Sequence, residues 1–141
     1  MSIDKERYEA CRWLETARED LDAAHTLMKS GKFSHSCFFS QQAGEKALKA
    51  LWFFLGGDPW GHSVQRLIAE LPDARAHEQM GALLEAGALL DRYYIPTRYP
   101  NGLPDLTPGQ VYFGKDAESC HEAGQQLLAM VRRIFDDREK P

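Results

Sequence analysis

Three long stretches of this chain repeat apolar residues every three or four positions, the spacing that collects them on one face of an α-helix. Glycines end the first two stretches, at Gly31 and at Gly56, and the third continues almost to the C-terminus. The apolar positions are Ala10, Leu14, Ala17, Leu21, Ala24 and Met28; Phe33, Cys37, Gly44, Leu48, Leu51 and Leu55; and Ala117, Cys120, Gly124, Leu127, Val131 and Ile134. No segment alternates with the two-residue period of a strand, so the sequence predicts an all-α fold.

The middle of the chain carries two weaker helical patterns. One predicts a short helix that Pro72 ends, with apolar positions Val64, Leu67, Ile68 and Leu71. The other predicts a fourth long helix that begins near Asp73 or Ala74, with apolar positions Met80, Leu83, Leu84, Gly87 and Leu90. Amphipathic helices bury their apolar faces against one another, so we expect an up-and-down four-helix bundle with one extra short helix. At 141 residues, it would form a single domain over residues 1–141.

Residues 93–109 cannot continue a helix, because proline removes a backbone donor and restricts the residue before it. Four of the seven prolines in the chain fall there: Pro96, Pro100, Pro104 and Pro108. A loop this long is uncommon in a compact bundle unless it is functional or disordered. The segment also holds three tyrosines and an isoleucine, which are unusual in a disordered linker. We therefore expect an ordered, proline-rich loop that lies over the bundle.

The charge balance restricts the kinds of partner that the chain can bind. Seventeen Lys and Arg stand against 21 Asp and Glu, for a net charge of -4. This excludes a broad basic surface for nucleic acid, but it leaves room for a local basic pocket. The longest apolar run, residues 50–55, is far shorter than the ~20 residues that span a bilayer. With no signal-peptide core at the N-terminus, we expect a cytoplasmic protein without a membrane segment.

The cysteines and histidines show no spacing typical of a metal site. Cys11, Cys37 and Cys120 are far apart and lie in helical apolar patterns, where a reduced thiol behaves as a small hydrophobic group. Four histidines have no assigned role: His25, His35, His77 and His121. No metal and no cofactor are expected.

Four polar residues of the second helix share one face, because they stand at positions i, i+3, i+4 and i+7: Gln42, Glu45, Lys46 and Lys49. One interpretation is a solvated face with a Glu45–Lys49 ion pair worth a few tenths of a kcal/mol. The alternative is a polar strip along a cleft, in which two ammonium groups bind an anionic ligand. Spacing alone favours the first interpretation and leaves the second open.

The proline-rich loop and the start of the short helix supply the remaining candidates. Arg98 lies in a loop that prolines stiffen, a setting that suits bidentate binding of phosphate or carboxylate. Tyr94 and Tyr99, with Tyr93, have rings that could stack on a base or pack the loop onto the bundle. His62 is either a local cap or a hydrogen-bonding group that changes charge near neutral pH.

Taken together, several stretches of the chain resemble the HEPN family of small helical domains. They are residues 13–24 (WLETAREDLDAA), 37–50 (CFFSQQAGEKALKA), 61–63 (GHS), Asp91 with 93–100 (YYIPTRYP), and Tyr112 with 116–117 (DA). The resemblance covers about residues 8–135. It implies a bundle of four long helices plus a short one, a homodimer with a cleft near its interface, and binding of a nucleotide (ATP- or AMP-like) or RNA. It also implies a minimal nucleotidyltransferase as protein partner, and a cleft formed by the Lys46/Lys49 strip, His62 and the Arg98 loop.

One departure from the family separates two functions. HEPN ribonucleases that work without metal carry an Arg and a His with four to six residues between them, late in the bundle, and no such pair follows His62 here. Arg18 and His25 have that spacing, but they lie on the first helix. The resemblance therefore favours the non-ribonuclease, nucleotidyltransferase-associated branch, a binding module rather than an enzyme. The alternatives are a ribonuclease that uses Arg18 with His25 or His62, and a structural protein whose dimer binds no ligand.

Overall fold

The computed structural model describes residues 3–139, so the two residues at each end of the predicted domain 1–141 lie outside the described residues. Within that range the regular elements are all helical, which confirms the all-α prediction. They are α1 (Ile3–Lys29), α2 (Phe33–Phe54), α3 (Val64–Ala69), α4 (Ala74–Gly81), α5 (Leu84–Asp91), a 3-10 turn (Pro100–Gly102), α6 (Pro108–Val111) and α7 (Gly114–Glu139). No helix within 3–139 combines the length and the apolarity needed to cross a bilayer.

Helix α2 is the centre of the bundle, packed against α1 on one side and α7 on another. Its apolar stripe is completely buried at Leu48 and Leu51, where it meets Leu127 and Ile134 of α7 in one core. Each such side chain contributes about 1.5–3 kcal/mol when it leaves water. Gly44 allows Leu90 of α5 to approach the backbone of α2 closely, because a Cβ at this position would lie 2.6 Å from Leu90 Cδ1. The three predicted long helices are therefore confirmed as the frame of the bundle.

The predicted helix ends at glycine are also confirmed. Helix α1 ends two residues before Gly31, and α2 ends two residues before Gly56. Gly56 has a φ of 80°, a left-handed conformation that a residue with a Cβ rarely adopts. The short helix α3 ends before Pro72, as the sequence predicts.

The predicted fourth long helix is divided into α4 and α5 by a turn at Ala82 and Leu83. The Leu83 amide donates to the carbonyl of Met80 at 2.9 Å, a three-residue step that ends α4. Helix α4 then packs on α3 and α7, while α5 packs on α2, α3 and α7. Apolar spacing alone did not predict the break. Met80 before the turn and Leu90 after it are both buried, so the apolar pattern continues across the turn.

The proline-rich loop lies against the bundle and is held there by side chains. Thr97 is buried and its hydroxyl donates to the carbonyl of Tyr93 at 2.5 Å. The Tyr93 hydroxyl in turn donates to Asp116 of α7 at 3.1 Å. Burial raises the pKa of Tyr93 well above its usual value, so the phenol keeps its proton and remains a donor. The beginning of the loop is thus attached to the beginning of α7.

Asp73 connects α4 to the end of α7. Its carboxylate accepts from the Ala76 amide at 2.9 Å, which caps α4. It also accepts two hydrogen bonds from the guanidinium of Arg138, at 2.8 and 3.0 Å. The Arg138 guanidinium, and then the Ala76 amide, hold the pKa of Asp73 well below its usual range.

We expect Asp73→Asn to lower the free energy of unfolding at pH 7 by about 1–3 kcal/mol, because the ion pair is lost while an asparagine cap is kept. A carboxylate whose pKa is depressed by folding stabilises the protein above its unfolded pKa of about 3.9 and loses that effect as pH falls. The difference between wild type and variant should therefore shrink below about pH 4. Urea unfolding at several pH values measures it, with Glu78→Gln on the same helix as control. A difference that stays constant down to pH 2 would contradict this role.

Candidate functional site

A buried carboxylate on α2 contacts three polar side chains. Glu45 is only 4% exposed, and its two oxygens accept from Gln41 Nε2 at 3.2 Å and from Lys49 Nζ at 3.0 Å. His62 Nδ1 lies 3.3 Å from the same oxygen that Lys49 contacts. The predicted Glu45–Lys49 pair is thus confirmed, but it is buried rather than solvated. The Glu45 carboxylate neutralises the Lys49 ammonium and holds the imidazole of His62 at the surface.

The ring of His62 stacks on the ring of Tyr94, with centroids 5.0 Å apart and planes at 20°. Asp91, at the end of α5, determines this placement. Its carboxylate accepts from the Ser63 hydroxyl at 2.7 Å and from the backbone amides of Val64 and Gln65 at 2.7 and 3.1 Å. The start of α3 is thereby joined to the end of α5. His62, just before α3, therefore lies next to Tyr94, just after α5.

Arg98 lies among three aromatic rings. Its guanidinium carbon is 4.6 Å from the ring centres of Phe38 and Tyr94 and 5.1 Å from that of Tyr99. Its Nε donates to the carbonyl of Tyr94 at 3.0 Å. Within residues 3–139 no carboxylate lies within 4 Å of this guanidinium. Arg98 is therefore fixed in position with its charge uncompensated.

These contacts form one continuous row, which we call the polar strip: Lys49, Glu45, His62, Tyr94 and Arg98. It brings together four of the seven residues predicted for the site, and Tyr99 adjoins it at Arg98. Of the remaining two, Lys46 points to α1, where it donates to Asp20 at 2.6 Å. Gln42 donates to Gln41 at 2.8 Å and is connected through it to Glu45. Both predicted ammonium groups are thus paired with carboxylates. Among the predicted site residues, Arg98 is the cation left without such a pair in the described range.

A cavity of about 450 Å³ lies beside Arg98. The start of α2, the loop around Thr97 and the start of α6 form its walls. Its volume falls within the ~300–1,000 Å³ range of small-molecule sites. The sequence analysis did not predict Phe38, Gln41 or Ser34 as part of this region. A polar residue among the apolar positions of α2 was the signal that could have identified Gln41 as a site residue. Nothing in the sequence indicated that α2 lies next to the loop.

A second cluster lies between α1 and α7. The rings of His25 and His121 are 5.2 Å apart, and His25 Nδ1 is buried without a hydrogen-bond partner within residues 3–139. Together with Arg18, Asp22 and Gln125 they line a cavity of about 260 Å³. Burial, and then the neighbouring His25, lowers the pKa of His121. Over the described chain, no three His, Cys, Asp or Glu are arranged to hold a metal ion.

Comparisons with known proteins agree with this architecture. A family model described as "HEPN domain" matches residues 10–134. The protein TT1696 from Thermus thermophilus has a similar structure, with a TM-score of 0.81 at 38% identity over 88% of this chain and 96% of that one. ST0689, described as an archaeal HEPN homologue, has a TM-score of 0.74 at 30% identity over 89% and 96%. A Methanocaldococcus jannaschii protein named "Putative toxin MJ1304" is 26% identical over 133 residues, 89% of this chain and 88% of its own length.

We expect Asp91→Asn to separate His62 from Tyr94. The carboxylate accepts hydrogen bonds from three donors, and the NH2 group of asparagine would face at least one of them without being able to accept its hydrogen bond. The free energy of unfolding should fall by about 1–3 kcal/mol. In NMR spectra the ring protons of His62 should lose the upfield shift that the Tyr94 ring causes. Glu85→Gln, an exposed change on the same helix, should stay within about 0.5 kcal/mol. An unchanged His62 signal in Asp91→Asn would contradict the positioning role.

Proposed function

The chain belongs to the HEPN family, and on that premise we propose that it is a nucleotide-binding module that acts as a homodimer with a minimal nucleotidyltransferase. The single observation that carries the nucleotide role is the uncompensated guanidinium of Arg98 beside an open cavity. The absence of an Arg–His pair after His62 in the sequence supports the non-ribonuclease branch. A cytoplasmic location belongs to the same proposal.

Arg98 has the features of a phosphate anchor. Its Nε donates a hydrogen bond to the Tyr94 carbonyl, and the two terminal nitrogens make no hydrogen bond within the described chain. Three aromatic rings hold the plane of the guanidinium, so little side-chain freedom is lost when a ligand binds. Each charge-assisted hydrogen bond to phosphate contributes about 1.5–3 kcal/mol.

The aromatic rings near Arg98 can hold a base. Tyr99 is 49% exposed and lies against the guanidinium, so one face of the Arg98 cluster is accessible to a planar ligand. Stacking of a base on such a ring contributes about 1–3 kcal/mol. The exposed imidazole of His62, held by Glu45, is a hydrogen-bonding group for the base or ribose. Because association costs ~4 kcal/mol or more, the expected affinity lies between millimolar and micromolar.

The name of one relative supports the role that we propose for this binding module. A relative named "Putative toxin MJ1304" supports a toxin–antitoxin-like role, in which the partner enzyme and the module share a nucleotide. The family resemblance is the support for the homodimer and for the nucleotidyltransferase. Co-expression with a nucleotidyltransferase encoded in a neighbouring reading frame should give a complex that co-purifies, and sedimentation of the chain alone should give a dimer.

We expect AMP and ATP to bind with dissociation constants in the micromolar to millimolar range, measured by calorimetry or NMR titration. Arg98→Ala should weaken binding at least about tenfold, since it removes about 1.4 kcal/mol or more. Arg98→Lys should bind in between, because an ammonium group lacks the bidentate geometry. Arg75→Ala, which removes an exposed arginine from α4, is the matched control. Equal binding by wild type and Arg98→Ala would remove the basis of the proposal.

A metal-independent ribonuclease is the second candidate, and the cavity between α1 and α7 favours it. The lowered pKa of His121 leaves its imidazole neutral near pH 7, which suits a general base for the ribose 2′-hydroxyl. The 2′-oxygen would attack phosphorus, the bond to the 5′-oxygen would break, and His25 would donate a proton to that oxygen. Arg18 lines the same cavity and would stabilise the charge that develops on the phosphate.

We expect a ribonuclease of this kind to cleave total RNA at neutral pH in EDTA. His25→Ala and His121→Ala should each lower the rate about 10²–10⁴-fold, the usual contribution of a general acid or base. His77→Ala, at an exposed histidine of α4, should leave the rate unchanged. Activity that survives both substitutions would place cleavage elsewhere, and no cleavage by wild type would exclude this candidate.

A further inference from the structure

We propose that the cavity at the N-terminal end of α2 is a phosphate site, in which Arg98, Lys32, Ser34 and the first amides of α2 bind the phosphate of the ligand. This inference rests on the proposed nucleotide-binding function and specifies which part of the nucleotide lies where. We call these groups the phosphate pocket. No ligand contact assigned above to the polar strip includes Lys32 or Ser34.

The start of α2 has no cap of its own. The residue at the cap position is Lys32, whose side chain makes no capping hydrogen bond, and the first turn contains no acidic residue. The backbone amide of Ser36 is bonded to the Lys32 carbonyl at 2.9 Å, so the amides of residues 33–35 precede the first helical hydrogen bond. A 22-residue helix concentrates about half a positive charge at this end, where anions are stabilised.

A serine hydroxyl in the wall is free to bind a ligand. Ser34 is 3% exposed, lines the cavity, and its hydroxyl makes no hydrogen bond within residues 3–139. By contrast, the hydroxyl of Ser36, two residues later, donates to the Ala24 carbonyl at 2.7 Å. A phosphate oxygen in the cavity would accept a hydrogen bond from the Ser34 hydroxyl.

The charges around the cavity are of one sign. Lys32 and Arg98 approach it from α2 and from the loop, and His35 adds an imidazole. Among residues 3–139 no acidic residue lines it, whereas Glu9 lines the cavity beside Lys46 and Asp22 lines the one beside His25. In a chain with a net charge of -4, this combination is a local basic pocket.

The remaining walls indicate what the phosphate is attached to. Phe33 and Phe38 supply aromatic surface, and the volume of about 450 Å³ is far larger than a phosphate ion requires. Phe38 also contacts the guanidinium of Arg98, so the charged and aromatic parts adjoin. The pocket therefore fits a phosphate monoester that carries an aromatic group, as a nucleoside monophosphate does.

The experiment is an NMR titration of the full chain at low salt with inorganic phosphate, adenosine and AMP. Phosphate should shift the amide signals of residues 33–35, AMP should bind more tightly than phosphate, and adenosine should bind most weakly. Ser34→Ala and Lys32→Ala should each weaken phosphate and AMP about three- to tenfold, the effect of one hydrogen bond or ion pair. The matched controls are Ser30→Ala and Lys29→Ala, at the end of α1 outside the cavity lining. Circular dichroism confirms that each variant is folded.

The outcomes separate the two proposals. If Arg98→Ala weakens AMP binding but Ser34→Ala and Lys32→Ala do not, and phosphate does not compete with AMP, the phosphate pocket is wrong and the nucleotide role stands. If phosphate binds with the expected dependence and AMP binds no more tightly, the pocket stands and the nucleotide role fails. If neither ligand shifts any signal, both proposals fail.

Discussion

The carboxylate of Asp91 is the interaction on which the candidate site depends. Helix α3 has only six residues, too few to be stable by itself. Asp91 accepts its first backbone donors and so attaches α3 to the end of α5. His62 precedes α3 and Tyr94 follows α5, and their stacked rings join the buried Glu45 of α2 to the Arg98 loop. A single capping interaction thus determines whether the polar strip is continuous.

Charge pairing, rather than the number of basic residues, decides where an anion can bind. Lys46 and Lys49 are both neutralised by carboxylates that are themselves largely buried, and releasing either ammonium would leave its partner unpaired. Arg98 and Lys32 have no such carboxylates in the described range, and both line one cavity at the start of α2. The anionic ligand is therefore expected at this end of α2, away from the lysines of its middle.

Two cavities with different chemistry underlie the two candidate functions. The cavity beside Arg98 combines cations with aromatic walls, which favours binding of a phosphate ester. The cavity between α1 and α7 holds two imidazoles, one with a lowered pKa, and an arginine that is already paired with Glu15 and Asp22. The first arrangement suits recognition, and the second suits acid–base chemistry on the same class of phosphate ester.

The sequence alone determined the all-α class, the three long helices, the stops at Gly31 and Gly56 and the loop at residues 93–109, because helix periodicity, glycine and proline act locally. It also predicted the Glu45–Lys49 pair, whose residues are one helical turn apart. Only the tertiary structure decided that Glu45 is buried, that Lys46 pairs with Asp20, and that His121 meets His25. It also decided that the predicted fourth helix breaks at Ala82 and Leu83, after which α5 packs on α2 as well as on α3 and α7. These features depend on which helix faces join, and that is set by packing between segments far apart in the chain.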